Sequence, residues 1–244
     1  MRNTQLEAAH TQTLSANSGR DDLGQILGRL SHDLKAPVRA IDELASWIEE
    51  EFEEGDSTSS TAIAEYIKLL KSRSNRLATL VNSLSVFARV GLSERPFEGK
   101  WDDLLEQVSA RLPLLNDFEI MTDFQATPSI AQQDLVVLFE VLLSNATKHH
   151  PSGHGSLQLS SRVDGSICIL AFQDDGLGIA ADRLGQAIEM FGTLERQDLV
   201  EGNGMGLSIA NRIANHYRGG LSIHHSDVMT GCEIRVWFPT ERPM

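Results

Sequence analysis

Residues 21–48 read DDLGQILGRLSHDLKAPVRAIDELASWI. Leu23, Leu27, Leu30, Leu34, Ile41, Leu44 and Ile48 recur at alternating steps of four and three, with Pro37 in the one gap. That spacing is the seam of a long helix packed on another helix. Turn chemistry at 55–60 (GDSTSS) interrupts it. A second seam follows at Ile63, Tyr66, Leu70, Leu77, Leu80, Leu84 and Phe87, with Arg73 in its gap. Two such helices around a short turn predict an antiparallel hairpin over 21–92. Each seam exceeds what one hairpin buries, so two copies are expected to pair into a dimeric four-helix bundle.

Outward from the hairpin the pattern changes. Residues 1–20 are a polar tail, too short for a sensor domain, and 91–96 (GLSERP) read as a linker. From 97 to 242 the spacing predicts a short helix over 101–112, a strand over 118–124 and a strongly apolar helix over 134–148. A strand pair over 156–163 and 166–173 turns at Asp164-Gly165. Helices over 181–191 and from Gly206, then strands over 221–225 and 233–238, complete an α+β sandwich with helices on one face of a mixed sheet.

The chain has 244 residues, room for two modest domains, and 41% hydrophobic residues, enough for a packed core. A net charge of −13 argues against nucleic acid or an anionic membrane surface as partner. No apolar run approaches the roughly 18–20 residues of a membrane span, and the first residues lack the apolar middle of a secretory signal. Cys168 and Cys232, far apart and without metal-like spacing, read as reduced core residues of a cytoplasmic protein.

Four short stretches carry chemistry. In 31–37 (SHDLKAP), His32 falls opposite the seam, on the solvent side of its helix, where its imidazole is a reachable nucleophile. Asp33 can orient the ring or accept a proton from it, and Pro37 can bend the helix one turn further on. Asn145 and Lys148 end the apolar helix on one face, an amide oxygen suited to Mg²⁺ beside a cation suited to phosphate. His149, His150 and His154 follow without carboxylate or cysteine companions and read as a solvated loop. In 174–179 (DDGLGI) a strand delivers Asp174 under the permissive backbone of Gly176 and Gly178, placing a carboxylate where it can accept from an exocyclic amine such as that of adenine. In 202–207 (GNGMGL), glycines before a helix let backbone N–H groups approach a polyphosphate. Singly, each stretch also reads as ordinary structure: an exposed coiled-coil histidine, a polar helix end, an Asp-Gly turn, a glycine-rich turn.

Their order is the stronger signal. A hairpin with His-Asp, then N-A-x-K, then D-x-G-x-G, then G-x-G-x-G-L resembles the sensor histidine kinases of two-component systems from about residue 21 to the end. The stretch SHDLKAPVRAI, with FARVG closing the second helix, looks most like the phytochrome-type branch. The resemblance implies a sandwich of the histidine kinase and gyrase ATPase type, with ATP and Mg²⁺ as cofactors. It implies that His32 is the phosphoacceptor, and that Asn145 holds Mg²⁺ while Lys148, Gly204 and Gly206 hold phosphates. By the same resemblance Asp174, with Gly176 and Gly178, reads adenine, and Leu207 belongs to the second glycine box. Phe191 matches the start of the ATP lid, and Arg196 within it is a candidate for charge on the γ-phosphate. The implied partners are a second copy of the chain, a response-regulator receiver domain that takes the phosphoryl group on an aspartate, and a separate sensor protein if the chain is complete.

Departures from the family pattern qualify this. Val141 stands where many members carry a first asparagine, leaving more of the metal to Asn145. Ala36 stands where many carry Thr or Asn one turn after the histidine, so the expected phosphatase activity is weak. Two rivals remain: a phosphotransfer relay with a vestigial nucleotide domain, and a non-kinase ATPase of the same sandwich fold.

Overall fold

The computed structural model describes residues 21–54, 59–179, 204–226, 229 and 231–240, with backbone alone at 21–33, 54, 59 and 60. Helix α1 (Asp21–Glu54) and helix α2 (Ser59–Arg89) pack along each other as the antiparallel hairpin that the two seams predict. Seam residues Leu44 and Leu80 are 5% and 4% exposed, and Pro37 is buried inside α1. Trp47 and Tyr66 meet across the hairpin with ring centroids 5.6 Å apart. Other apolar residues of both helices, Val38, Phe52, Ile67, Leu69 and Val81, face away from that contact and are exposed.

The second body is a two-layer sandwich. After helix α3 (Trp101–Ser109) and a 3₁₀ turn (Pro113–Asp117) come strand β1 (Phe118–Phe124), helix α4 (Gln132–Lys148), strands β2 (Gly155–Asp164) and β3 (Ile167–Asp174), helix α5 (Gly206–His216), and strands β4 (Gly220–His225) and β5 (Cys232–Pro239). The sheet order is β1-β2-β3-β5-β4. Only β1–β2 is parallel; the other pairings are antiparallel. The expected mixed sheet is therefore present.

Helices cover one face of it. Leu135, Leu138, Phe139, Leu142 and Leu143 of α4 are buried with Leu157, Leu159, Leu170, Phe172, Val236 and Phe238 of the sheet. Each such side chain contributes about 1.5–3 kcal/mol on leaving water. Phe139 meets Phe172 edge-on at 4.8 Å, and Trp101 of α3 stacks on Phe124 at 4.2 Å. Leu207, Ile209, Ala210, Ile213 and Ala214 seat α5 beside α4. Cys168 and Cys232 are free and buried, as expected of reduced core residues; burial pushes their thiols up to about 11 and about 12.

The helix expected over 101–112 stops at Ser109. Pro113 lacks the amide a continuing helix needs and disfavours helical geometry at the residue before it, so the chain restarts as the 3₁₀ turn. The helix expected over 181–191 lies outside the described residues. No described helix is long and apolar enough to cross a membrane.

The stretch read as a linker is not a loose tether. Val90 and Phe97 join the sandwich core. Phe97 N–H donates to Ile130 O at 3.0 Å, and Gln132 N–H to Arg95 O at 2.9 Å. Asp134, 3% exposed, accepts from Gly91 N–H at 3.1 Å and from the Tyr217 hydroxyl at 2.6 Å, both on Oδ2. One turn back in α2, Arg212 of α5 lies over the Phe87 ring, 4.6 Å from its centroid, and donates from Nε to Phe87 O at 3.1 Å. The end of α2 is thus held directly on α4 and α5.

Candidate active site

The site forms where α4, β3 and α5 present their ends. Strand β3 ends on Asp174, half-buried. Its Oδ1 accepts from Gly176 N–H at 3.0 Å and Cys232 N–H at 3.2 Å. Among the described residues no hydrogen bond goes to Oδ2, which leaves an acceptor for an incoming amine. Burial raises the Asp174 carboxyl above its ordinary value. The Cys232 and Gly176 amides and the charge of His150 oppose that, and Asp175 adds to it.

Backbone without side chains closes around this carboxylate. A Cβ on Gly231 would overlap the Asp174 carbonyl and Oδ1, so only glycine lets β5 approach so closely. Gly178 is left-handed, φ +70, a conformation that costs other residues about 1–2 kcal/mol.

Asn145 is half-buried in the last turn of α4, with Lys148 exposed one turn on. One turn earlier, Val141 lies under the start of α5: a Cβ on Gly206 would sit 3.7 Å from its carbonyl oxygen. The glycine stretch and the Asn145 helix are therefore neighbours. Among the described residues the first turn of α5 holds no acidic residue, and a helix N-terminus favours an anion. Met205, 0% exposed, and Leu207, 7% exposed, anchor that turn in the core. Gly204 precedes it, also left-handed at φ +66.

The described residues fit an adenine nucleotide: an acceptor carboxylate among glycines at one end, a helix N-terminus and Lys148 at the other. Among them no group of three or more His, Cys, Asp or Glu could hold a metal ion. Mg²⁺ would therefore rest on the Asn145 amide oxygen together with nucleotide phosphates.

Two expected residues are distant from this cluster in the chain: His32 and Asp33 lie in the backbone of α1, and their side chains are outside the description. Arg196 and Phe191 lie outside the described residues.

The reading of 149–154 as a solvated loop needs correcting at one position. His149 and His154 are exposed, but the His150 side chain is 6% exposed. Its ring meets Phe118 edge-on at 5.3 Å, and its Nε2 lies 3.0 Å from Asp175 Oδ1. A carboxylate companion does exist, 25 residues along the chain, where local spacing gives no sign of it. Gly231 and Cys232 escaped the sequence reading for the same reason; the one local signal was a glycine opening the last strand.

Residues 130–242 match the protein family described as histidine kinase-, DNA gyrase B-, and HSP90-like ATPase. Among curated relatives, the sensor-like histidine kinase SenX3 of Mycolicibacterium smegmatis is 25% identical over 207 residues, covering 81% of this chain and 52% of its own length. An uncharacterized sensor-like histidine kinase of Rhizobium meliloti is 25% identical over 255 residues, covering 97% and 46%. The chain thus spans about half the length of these relatives. Among solved structures, the Acinetobacter baumannii histidine kinase AdeS aligns with a TM-score of 0.58 at 19% identity, over 86% of this chain and 98% of that one. Full-length ShkA in complex with AMPPNP aligns at 0.55 and 21% identity, over 90% and 47%. The fold is a helical hairpin followed by an α+β sandwich, as in these solved structures.

Proposed function

We propose that this chain, the catalytic core of a sensor histidine kinase of the two-component type, phosphorylates its own His32 from Mg-ATP and passes the phosphoryl group to an aspartate of a response-regulator receiver domain. One observation carries the nucleotide half of the reading. Asp174 spends one carboxylate oxygen on two backbone amides and presents the other among glycines. Adenine offers an amine to such an acceptor, whereas guanine presents a carbonyl.

The roles follow from the chemistry of each group. Asp174 binds adenine, Lys148 and the start of α5 at Gly204 and Gly206 bind phosphates, and Asn145 would hold Mg²⁺, which would offset phosphate charge. Arg196 is assigned to the γ-phosphate. A neutral His32 nitrogen attacks the γ-phosphorus in line; the N–P bond forms as the bond to the ADP oxygen breaks, and Asp33 accepts the ring proton. Such transfer has a loose transition state, so positioning and charge make up most of what the protein supplies.

The exposed apolar residues beside the seam, Val38, Ile67, Leu69 and Val81, support a homodimer, as covering this second stripe requires a second copy. The stretch SHDLKAPVRAI supports placement in the phytochrome-type branch. Ala36, a methyl group one turn after His32, supports weak phosphatase activity, as it cannot orient water. Dependence on ATP supports a cytoplasmic location for this part of the chain.

The test is incubation with ATP labelled at the γ-phosphate, then acid and base treatment. The expected label survives base and is lost in acid, as phosphohistidine is. ATP hydrolysis without protein-bound label would favour a plain ATPase, and failure to bind ATP would favour a phosphotransfer relay.

A further inference from the structure

The hydrogen bonds around His150 fix which of its nitrogens carry protons. Ser152 Oγ lies 2.6 Å from His154 O and 2.9 Å from His150 Nδ1. A hydroxyl has one hydrogen, and a carbonyl can only accept it. That hydrogen goes to His154 O, so Ser152 must accept from Nδ1–H. On the other side of the ring, Nε2 faces Asp175 Oδ1 at 3.0 Å, and an ionised carboxylate also only accepts. Asp175 is held ionised: burial works to raise it, but the Ser156 amide and His150 together bring its carboxyl below the ordinary range. Both ring nitrogens therefore donate.

This cation sits against the nucleotide site. A methyl group on Gly176 would lie 3.0 Å from Asp174 Oδ1 and 3.3 Å from His150 Cδ2. Asp175 Oδ1 also accepts from Ser156 N–H at 2.9 Å, so one oxygen joins the chain after α4, the start of β2 and the end of β3. Gly155 makes room, since a Cβ there would overlap Asp175 Oδ1.

We infer that His150 is a positioning residue for the nucleotide, an imidazolium clamped between Ser152 and Asp175 that ties the end of α4 to the Asp174 turn and holds the Asp174 carboxylate ionised. The inference rests on Asp174 as the adenine-reading group. Among the described residues, the titratable groups facing Asp174 are His150 from the loop after α4, Asp175 just past the end of β3, and Cys232 of β5, whose thiol stays protonated near neutral pH. Of these, His150 is the one that can carry positive charge. Binding requires ionised Asp174, so it is lost as pH falls through the raised value of that carboxyl. Removing the His150 charge, which favours the ionised Asp174, moves the loss to higher pH.

Two measurements on the full chain test this. Ring nitrogen NMR of histidine-labelled protein should show His150 with both nitrogens protonated near neutral pH. ADP binding by calorimetry, from about pH 5 to 8 where histidine charge changes, should show the acid limb of His150→Gln displaced upward by about one pH unit or more. His150→Asn, which is also uncharged and keeps a hydrogen-bonding side chain in the loop, should displace it in the same direction, and it serves if His150→Gln does not fold. A neutral ring in the NMR spectrum overturns the inference. So does an equal loss of affinity at every pH, the mark of a merely structural residue. No ADP binding by the unsubstituted chain at any pH would instead overturn the nucleotide reading, and with it the role of His150.

Discussion

In the sandwich, Phe139 and Phe238 are 0% and 1% exposed; in the hairpin, Trp47, Leu69 and Val81 remain 45%, 45% and 49% exposed. Both regions are built from apolar periodicity, yet one closes its core within a single chain and the other does not. The sandwich has a sheet to receive α4 and α5, so the apolar stripes of both helices meet a complementary face. The hairpin has only its own two helices, and a two-helix contact covers one stripe of each. The candidates Asn145 and Asp174 are on the half that closes its own core, and His32 is on the half that leaves apolar side chains exposed.

Separation of roles predicts the largest effect. His32→Ala should remove all autophosphorylation while leaving ATP affinity unchanged, measured by label incorporation and calorimetry on one preparation. A parallel loss of ATP binding would mean that the two halves are not independent. Phe139→Ala should cost the sandwich about 3–5 kcal/mol in denaturant unfolding, with the same loss at every protein concentration. A loss that depends on concentration would erase the contrast.

Leu69→Glu should lower dimer stability by at least the roughly 1.5–3 kcal/mol of one buried leucine, giving monomer in light scattering, with sandwich unfolding unchanged. Persistence of the dimer would place the second interface elsewhere. Asp174→Asn should weaken ATP binding by about 1.5–3 kcal/mol, the worth of a hydrogen bond to a charged group, without altering hairpin association. The smallest effect concerns Arg218, at φ +58 just past α5, where glycine is the usual occupant. Arg218→Gly should stabilise the sandwich by about 1 kcal/mol, visible as a higher Tm with dimerisation unmoved.

What was legible in the sequence was local. The seams of α1 and α2, the apolar run of α4 and the Asp164-Gly165 turn each express one element's own period or turn chemistry, and each is present in the fold. What stayed hidden joins distant segments. Cys232 N–H reaches Asp174 across 58 residues, and the Tyr217 hydroxyl reaches Asp134 across 83. Nothing about a tyrosine after a helix marks it as partner to a carboxylate on another helix. His150 is the sharpest case, because its neighbours in sequence, His149 and His154, are exposed. The positions of Asn145 and Asp174 were legible because their surroundings, a helix end and a strand end, are themselves local.

The grip on the end of α2 has a mechanical consequence. Arg212 holds Phe87, and Asp134 holds Gly91, so this last turn of the hairpin travels with the sandwich as part of one lever. Any swing of the sandwich that keeps these contacts must pivot in α2 on the N-terminal side of Phe87, by bending or unwinding helix. Any swing that pivots in 91–96 must first pull Asp134 away from Gly91 and leave a nearly buried carboxylate with the Tyr217 hydroxyl alone. The fulcrum is therefore set by whether that clasp is shut, and a stroke beginning in the hairpin would meet the sandwich at Arg212 and Asp134 as well as through the apolar packing of Val90.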